Sequence, residues 1–318
     1  MADAICLGEL LIDFVPTVTG TGLTDAPAFV RAPGGAPGNV AVGLARLGVS
    51  SAFMGKVGDD PFGHFLASTL AEAGVDVGPL RFSTEARTAL AFVSLRADGE
   101  REFMFYRHPS ADMLFDLREV DIEAIRRAKL LHFGSISLIG EPSRGATLHA
   151  VDTARAAGCL ISYDPNLRLP LWPDANAARD GMLLGLQKAH IVKLGDDESE
   201  FLSGSGDLKA ACRALWHDEL KLIAITRGRA GCAYFTPEFS GEVESFAVDA
   251  VDATGAGDGF VAGLLQGVLA DPATLQDETR LRELCRFANA VGALTTTRRG
   301  AIPALPDRER ARDFMRRQ

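Results

Sequence analysis

Cysteine is scarce in this chain of 318 residues, and its spacing excludes its commonest uses. The number of cysteines is odd, they lie far apart, and no two of them form a Cys-x-x-Cys pair. Neither a disulfide framework nor a paired-thiol motif is therefore predicted. We expect all five to be reduced thiols in the core of a cytosolic protein. They are Cys6, Cys159, Cys212, Cys232 and Cys285.

Positive charge and long apolar runs are also in short supply. Lys and Arg total 33 against 42 Asp and Glu, which gives a formal net charge of -9. A protein that binds nucleic acid or anionic membranes needs the opposite sign, so neither partner is expected. No stretch reaches the roughly 18 apolar residues of a membrane span. The opening segment MADAICLGELLIDF has no basic residues ahead of its apolar run, so we expect a cytoplasmic protein.

The common nucleotide-binding and metal-binding motifs are missing as well. Gly58 and Gly63 have the spacing of a P-loop, but His64 and Phe65 stand where Lys and Ser or Thr are required. The segment LGE at 7–9 does not supply the glycine fingerprint of a dinucleotide site, which counts against a dehydrogenase. The six histidines have no metal-ligand spacing with cysteine or with one another.

What the sequence does contain is a regular alternation of short apolar runs and longer helical patterns. Strand-like runs such as CLISYDP, AHIVKL and LKLIAIT lie between helical segments. This alternation predicts an α/β fold with a mostly parallel central sheet and helices on both faces. Gly48, Gly74 and Gly158 each follow a helical pattern, and we expect them to end those helices with a positive φ.

Residues 88–107, TALAFVSLRADGEREFMFYR, interrupt this alternation. Two strand-like runs flank Asp98-Gly99, a dipeptide that favours a tight hairpin turn. The segment PAFVRAP at 27–33 resembles another short strand. Together these strands could form a small accessory sheet that acts as a lid. An edge hairpin on the main sheet is the alternative.

The strongest local signal is VDATGAGDGFVAGLLQGVL at 251–269. A strand-like run passes through Gly255-Ala256-Gly257 directly into an apolar helix. The N–H groups at such a helix start can hold a phosphoryl group and stabilise its charge. Asp258 lies beside them, where a carboxylate could accept the proton of an attacking hydroxyl. The alternative interpretation is that Asp258 only caps the helix.

A second glycine-rich turn, PGGAPGNVAVGLARLG at 33–48, also precedes a helical pattern. Gly34 and Gly35 would let a ligand approach the backbone closely. Asn39 offers both a donor and an acceptor to a polyhydroxy compound. Asp13 follows the first strand, where open parallel sheets collect ligand contacts, although a solvated loop carboxylate is the simpler interpretation.

With these motifs in place, the chain resembles the ribokinase-like, or PfkB-type, carbohydrate kinases, and within them the fructokinase branch. The two family signatures correspond to GGAPGNVAVGLARLG at 34–48 and DATGAGD at 252–258. Ala253 is a small departure from the second pattern. The likeness spans nearly the whole chain and includes GEREFMFYRHPSADMLF at 99–115, LHFGSISLI at 131–139, SYDPNLRLPLWP at 162–173 and GAIPALP at 300–306.

The resemblance implies one ribokinase-like domain over residues 1–318, with a β-sheet lid inserted from approximately 14–33 and 88–108. It also implies transfer of the γ-phosphoryl group of Mg-ATP to the 6-hydroxyl of fructose. Asp258 would then be the catalytic base, with the anion hole formed by Gly255, Ala256 and Gly257. The residues implied to bind the sugar are Asp13, Gly34, Gly35, Asn39, Arg107 and Arg168.

The same resemblance assigns a nucleotide side and a cation site. The positions implied for ATP and its metal are Glu198, Thr226, Gly228, Gly231 and Asn289. Gly195 replaces the Asn of the family's Asn-x-x-Glu motif, which leaves the role of that Asn unfilled or mediated by water. A monovalent cation such as potassium would use Asp252 and Thr254, with backbone groups around Thr295, Arg298, Gly300 and Ala304.

Three other interpretations stay open at this point. A 2-keto-3-deoxygluconate kinase would use Arg107 and Arg168 to recognise a substrate carboxylate. A sensor that binds sugar or nucleotide without turnover is disfavoured because the anion hole and Asp258 are both present. A dehydrogenase rests only on the alternation of strands and helices. An exposed edge of the lid sheet could also pair with a second subunit to give a homodimer.

Overall fold

A large twisted sheet and a small separate sheet organise the chain, which a computed structural model describes over residues 2–18, 20–95 and 101–318. The strands are β1 Ala4–Leu7, β2 Leu11–Pro16, β3 Phe29–Gly34, β4 Ser51–Gly58, β5 Leu80–Ser83, β6 Ala89–Leu95, β7 Arg101–Tyr106, β8 Leu130–Gly134, β9 Leu160–Asp164, β10 Ile191–Gly195, β11 Leu222–Thr226, β12 Cys232–Phe235 and β13 Ser240–Val243. The helices are α1 Ala36–Arg46, α2 Pro61–Glu72, α3 Ile122–Arg127, α4 Ser143–Ala156, α5 Ala175–Leu186, α6 Asp196–Ser203, α7 Leu208–Leu215, α8 Ala256–Ala270, α9 Glu278–Thr295, α10 Ala301–Ala304 and α11 Arg308–Arg317.

The large sheet has the order β13-β12-β11-β10-β9-β8-β1-β4-β5. Its strands from β11 to β5 run parallel, and β12 and β13 form an antiparallel edge. Parallel neighbours need crossover connections, and the helices that make them cover both faces. One buried apolar cluster lies under α1, α8 and α9, and the other lies under α4, α5 and α7. The predicted α/β class is confirmed.

Glycine ends several helices where the sequence places it. Gly48, Gly74 and Gly158 follow α1, α2 and α4 with φ values of 86°, 88° and 80°. These left-handed positions let the chain reverse directly into the next strand, as predicted. The five cysteines are buried and free, in agreement with their assignment to the core.

The segment that interrupts the alternation belongs to a separate four-stranded sheet of order β3-β2-β6-β7. β6 pairs antiparallel with β7, and β2 pairs antiparallel with β3 and parallel with β6. The accessory sheet is therefore present, and the edge-hairpin alternative is wrong. The Asp98-Gly99 turn lies outside the described residues. Whether the sheet acts as a lid stays a prediction.

The carboxyl ends of the parallel strands lie at one edge of the large sheet, where α/β folds place their ligands. Asp164 ends β9, Gly195 ends β10 and Thr226 ends β11. β1 is followed by Gly8 and Glu9 before the chain enters the small sheet. Among the residues that the structure describes, no helix is both long and apolar enough to cross a membrane.

Candidate active site

The start of α8 carries the glycine-rich turn that the sequence singled out. Gly255 has a φ of 79°, and a Cβ added there would lie 2.4 Å from the Cβ of Ala301. Only glycine fits this left-handed and crowded position. The Ala256 N–H donates to the Ala253 carbonyl at 3.2 Å. Since the first N–H groups of a helix have no acceptor within it, those of Gly257 and Asp258 are the ones best placed to hold an anion.

Asp258 accepts a hydrogen bond of 2.7 Å from the side-chain amide of Asn39. Both side chains are buried, and this contact joins the two predicted motifs across 219 residues of chain. One turn further along both helices, a Cβ added at Gly43 would lie 2.6 Å from the Cβ of Ala262. The small residues at this crossing let α1 and α8 approach closely enough for Asn39 to reach Asp258.

The electrostatics of Asp258 suit a base. Burial raises its pKa, while the hydrogen bond from Asn39 and the positive charges of Lys193 and Arg168 lower it. The side-chain oxygen of Asn39 has no hydrogen-bond partner within the described chain. A buried acceptor without a partner is costly, so this atom is suited to receive a hydroxyl from a bound ligand.

The small sheet contributes Asp13, and Gly34 on the neighbouring strand makes room for it. A Cβ added at Gly34 would lie 2.2 Å from Asp13 Oδ2. Burial raises the pKa of Asp13 to about 7, Arg168 lowers it, and Asp258 raises it further. Gly35, with a φ of 106°, begins α1, and a Cβ there would lie 2.5 Å from the Glu9 carbonyl. Asp13, Arg168 and Asp258 therefore share one electrostatic environment.

The raised pKa of Asp13 gives a stability prediction. Folding raises this pKa from 3.8, so the ionised carboxylate destabilises the native state progressively as the pH rises from about 4 to about 7. We expect Asp13→Asn to raise the Tm at pH 8 by about 2 °C or more, with a smaller gain at pH 4. Thermal melts across this range would measure it, with Asp180→Asn on the exposed face of α5 as control. A loss at pH 8 would contradict the prediction.

Two arginines predicted to reach the sugar have different surroundings. Arg107 is buried, and its Nε donates to Asp112 Oδ2 at 2.7 Å, so much of its guanidinium is held inside the chain. Its contact with a substrate stays a prediction. Arg168 lies over the ring of Phe103 on β7, 5.8 Å from the centroid. Arg168 thus connects the loop after β9 to the small sheet.

Glu198 on α6 braces two loops of the site. Its Oε1 accepts the Leu167 N–H and its Oε2 accepts the Gly195 N–H, both at 2.7 Å. Gly195, which stands where the family has Asn, brings no side chain to this point. Two charged neighbours were not among the predicted site residues: Asp164 at the end of β9 and Lys193 on β10, with Lys193 Nζ 3.1 Å from Asp164 Oδ2. A lysine within the apolar run AHIVKL was the available signal for this pair.

Of the residues assigned to the nucleotide, Thr226 ends β11, Gly228 and Gly231 follow it, and Asn289 lies on α9. Thr226 Oγ1 donates to the Leu194 carbonyl at 3.2 Å. Gly228 and Gly231 have φ values of 53° and 91°, and a Cβ at Gly231 would lie 2.0 Å from the Val243 carbonyl. The Asn289 amide donates to that same carbonyl at 3.1 Å and to its neighbour in the chain. Gly231 and Asn289 therefore meet at Val243 and shape one loop.

The residues assigned to a monovalent cation are also brought together in part. Asp252 Oδ1 accepts the N–H and hydroxyl of Thr254, and Asp252 Oδ2 accepts the Gly300 N–H at 2.9 Å. This carboxylate therefore ties the segment before α8 to the turn that begins α10. Thr295 donates within α9, and Ala304 is buried in α10. Over residues 2–18, 20–95 and 101–318, no group of three or more His, Cys, Asp or Glu residues could hold a metal ion.

Comparison with known proteins decides the family. The family model described as "pfkB family carbohydrate kinase" matches residues 1–308. This chain belongs to the pfkB family of carbohydrate kinases. The resemblance inferred from the two glycine-rich motifs is therefore confirmed.

Relatives of this pfkB kinase match nearly all of its length. It is 55% identical to "Probable fructokinase-4" of Arabidopsis thaliana over 98% of this chain and 96% of the relative. Among solved structures, a fructokinase with bound ATP from Xylella fastidiosa has a TM-score of 0.92 at 35% identity, covering 100% of this chain and 99% of that one. A fructokinase double mutant from Vibrio cholerae O395, with fructose, ADP and potassium ion bound, has a TM-score of 0.89 at 33% identity, covering 99% and 98%.

Proposed function

We propose that this pfkB kinase is an ATP-dependent fructokinase that makes fructose 6-phosphate and ADP. The observation that carries the proposal is the buried Asn39 to Asp258 hydrogen bond, which joins the first glycine-rich turn to the base beside the second. This bond holds the free side-chain oxygen of Asn39, which can accept a hydrogen bond from a ligand, next to the Asp258 carboxylate, which can accept a proton. The fructokinase names of its relatives at about 55% identity support fructose as the acceptor.

In the proposed reaction, the 6-hydroxyl oxygen of fructose attacks the γ-phosphorus of ATP. The new P–O bond forms as the bond to the β-phosphate oxygen breaks, and ADP leaves with its electron pair. Asp258 accepts the hydroxyl proton. The turn of Gly255, Ala256 and Gly257 at the positive end of α8 stabilises the charge on the transferred group. The N–H groups of Gly257 and Asp258, in the first turn of α8, are the donors best placed to contact that group.

Sugar recognition is proposed for the residues around Asn39 and Asp13, next to Asp258. Asp13 and the free side-chain oxygen of Asn39 would accept hydroxyl protons, and the Gly34-Gly35 turn would let the sugar approach the backbone. Arg168 would contact the substrate from beside Asp13. Arg107 is paired with Asp112, and its other N–H groups would contact the sugar.

The nucleotide would lie against Thr226, Gly228, Gly231 and Asn289, beyond the ends of β10 and β11. Glu198 is a buried carboxylate in the first turn of α6, and an oxygen donor of this kind fits Mg²⁺, which binds nucleotide phosphates through few protein ligands. Glu198 would hold the ion, and Mg²⁺ would neutralise phosphate charge when bound. Each Glu198 oxygen accepts one backbone hydrogen bond and has a further lone pair with which it could bind the ion.

We further propose that a potassium ion binds beside the turn that precedes α8. A single carboxylate, Asp252, within a loop of backbone groups suits a monovalent cation better than a divalent one. The proposed surroundings are Thr254, Thr295, Arg298, Gly300 and Ala304. Bound there, the ion would stabilise the loop that holds Gly255.

A cation prediction follows from this arrangement. Replacing potassium by tetramethylammonium at constant ionic strength should lower kcat roughly five- to tenfold, because the turn before α8 loses its support. A coupled kinase assay with titrated potassium chloride would measure the effect. Asp252→Ala should be slow in both salts. Equal wild-type rates in the two salts would contradict the proposed site.

The accessory sheet is proposed to close over the sugar as a lid, within a single kinase unit that spans the chain. Its contact with Arg168 through Phe103 supports this role. Closure would exclude water, which otherwise competes with the sugar for the phosphoryl group. Pairing of two such sheets in a homodimer, and a cytoplasmic location, both stay predictions.

The function is tested by ADP release with Mg-ATP and a panel of acceptors: fructose, glucose, mannose, ribose and 2-keto-3-deoxygluconate. We expect selective turnover of fructose. The product should be oxidised through phosphoglucose isomerase and glucose 6-phosphate dehydrogenase, which identifies the 6-phosphate. If 2-keto-3-deoxygluconate were preferred, it would be the substrate instead of fructose, and Arg107 and Arg168 would bind its carboxylate. No turnover with any acceptor would contradict the proposed kinase activity.

A further inference from the structure

Lys193 is a buried lysine in the middle of the large sheet, and neither the sequence motifs nor the reaction proposed above gives it a role. It lies on β10, and its residue is only 9% exposed. Its ammonium lies 3.1 Å from Asp164 Oδ2 and 3.3 Å from Asp164 Oδ1. Lysine is almost never buried without a counter-charge or a specific contact to make.

The ammonium of Lys193 lies directly beside the phosphate turn. A Cβ added at Gly257 would lie 3.1 Å from Lys193 Nζ. Because Gly257 has no side chain, the Lys193 ammonium can lie close to the start of α8. Within the described residues, this ammonium donates a hydrogen bond to Asp164 Oδ1 and forms an ion pair with Asp164 Oδ2, whereas an ammonium has three N–H donors.

The charge of Lys193 is secure. Burial works against the ammonium, but the carboxylates of Asp164, Glu198 and Asp258 outweigh it and raise the pKa of Lys193 well above its usual range. A fixed positive charge thus lies next to the N–H groups of α8, which carry partial positive charge themselves. Two positive groups beside each other in a buried region favour an anion between them.

We propose that Lys193 is a further catalytic residue whose ammonium contacts the phosphoryl group as it passes from ATP to the sugar. The inference rests on the proposed kinase function. It adds the Lys193 side chain to an anion hole that otherwise consists of backbone N–H groups. Negative charge on the transferred group meets the N–H groups of Gly257 and Asp258 on one side and Lys193 on the other. Such preorganised charge stabilises the transition state without moving.

The alternative is that Lys193 only neutralises Asp164. Removing one partner of a buried ion pair leaves an uncompensated charge, so Lys193→Met alone could lose activity through instability. The test therefore adds Asp164→Asn and the double variant Lys193→Met/Asp164→Asn, in which the buried charges are again balanced. Thermal melts should show the double variant more stable than Lys193→Met.

The catalytic role predicts that the double variant is at least about tenfold slower in kcat than Asp164→Asn alone, because the ammonium is still missing. It also predicts that Lys193→Met weakens ATP binding at least about tenfold more than ADP binding in calorimetry. Equal kcat for the double variant and Asp164→Asn would overturn the proposal. An unchanged ratio of ATP to ADP affinity would overturn it as well.

The binding measurement separates this proposal from the proposed function. If the wild type bound ATP but phosphorylated no acceptor, the kinase proposal would fail. The ratio of ATP to ADP affinity in Lys193→Met would still report whether Lys193 contacts the terminal phosphate. If the wild type turned over fructose and that ratio did not change, only the role of Lys193 would fail.

Discussion

Asp258→Asn should lower kcat roughly 10²- to 10⁴-fold while the protein stays folded. The amide has the shape of the carboxylate and can still accept the hydrogen bond from Asn39, but it cannot take a proton from the sugar hydroxyl. Because burial raises the pKa of Asp258, the variant removes an unfavourable buried charge and should melt no lower than the wild type at pH 8. Steady-state kinetics and thermal melts measure the two effects.

The pH profile gives a second measurement of the same residue. A base with a raised pKa loses activity as the pH falls through that pKa, so wild-type kcat should decline on the acidic side. This decline should be absent from the residual activity of Asp258→Asn. Asp180→Asn, which removes an exposed carboxylate on α5, should keep the wild-type rate and profile. Wild-type turnover by Asp258→Asn would show that the base lies elsewhere.

Gly255→Ala should lower kcat by about 10²- to 10³-fold. Its loss in free energy of unfolding should be smaller than its loss in stabilisation of the transition state. The added Cβ would lie 2.4 Å from the Cβ of Ala301 and 2.9 Å from its Cα, so either α10 or the start of α8 must move. A shift of about 1 Å would misdirect the N–H groups that are proposed to hold the phosphoryl group. Kinetics with saturating ATP and fructose would measure the loss.

Gly48→Ala is the matched control for this substitution. Gly48 has a φ of 86°, close to the 79° of Gly255, but a Cβ added at Gly48 meets nothing within 4 Å. Both variants carry the cost of a left-handed alanine, about 1–2 kcal/mol. Only Gly255→Ala also disturbs the phosphate turn. Equal kcat values for the two variants would show that the contact with Ala301 does not hold the turn in place.

The sequence predicted those parts of the site that follow from local chemistry. A glycine that needs a positive φ, an apolar helix after a strand, and a hairpin between alternating runs are each specified by a few consecutive residues. Gly255, α8 and the β6-β7 pair were predictable for this reason. The family signatures added a predicted role in sugar binding for Asp13 and Asn39, which composition and spacing alone left open.

Contacts between distant buried polar groups could not be predicted in the same way. Lys193 meets Asp164 because β10 pairs with β9 in a register that places Val192 opposite Tyr163. A strand pattern does not specify that register. The pairing of Arg107 with Asp112 likewise depends on the turn after β7. Each of these partners is an ordinary charged residue in the sequence, and only the fold shows what it faces.

The hydrogen bond between Asn39 and Asp258 has a consequence for how the protein is made. Its two partners lie 219 residues apart, so the loop that it closes contains most of the chain. Contacts of such sequence separation form late in folding, since the entropy of a long loop is lost before the contact repays it. During translation, a ribosome-bound chain that has not yet released α8 lacks Asp258, the proposed base. If Asp258 is the base as proposed, enzymatic turnover reports that the chain between Asn39 and Asp258 has folded.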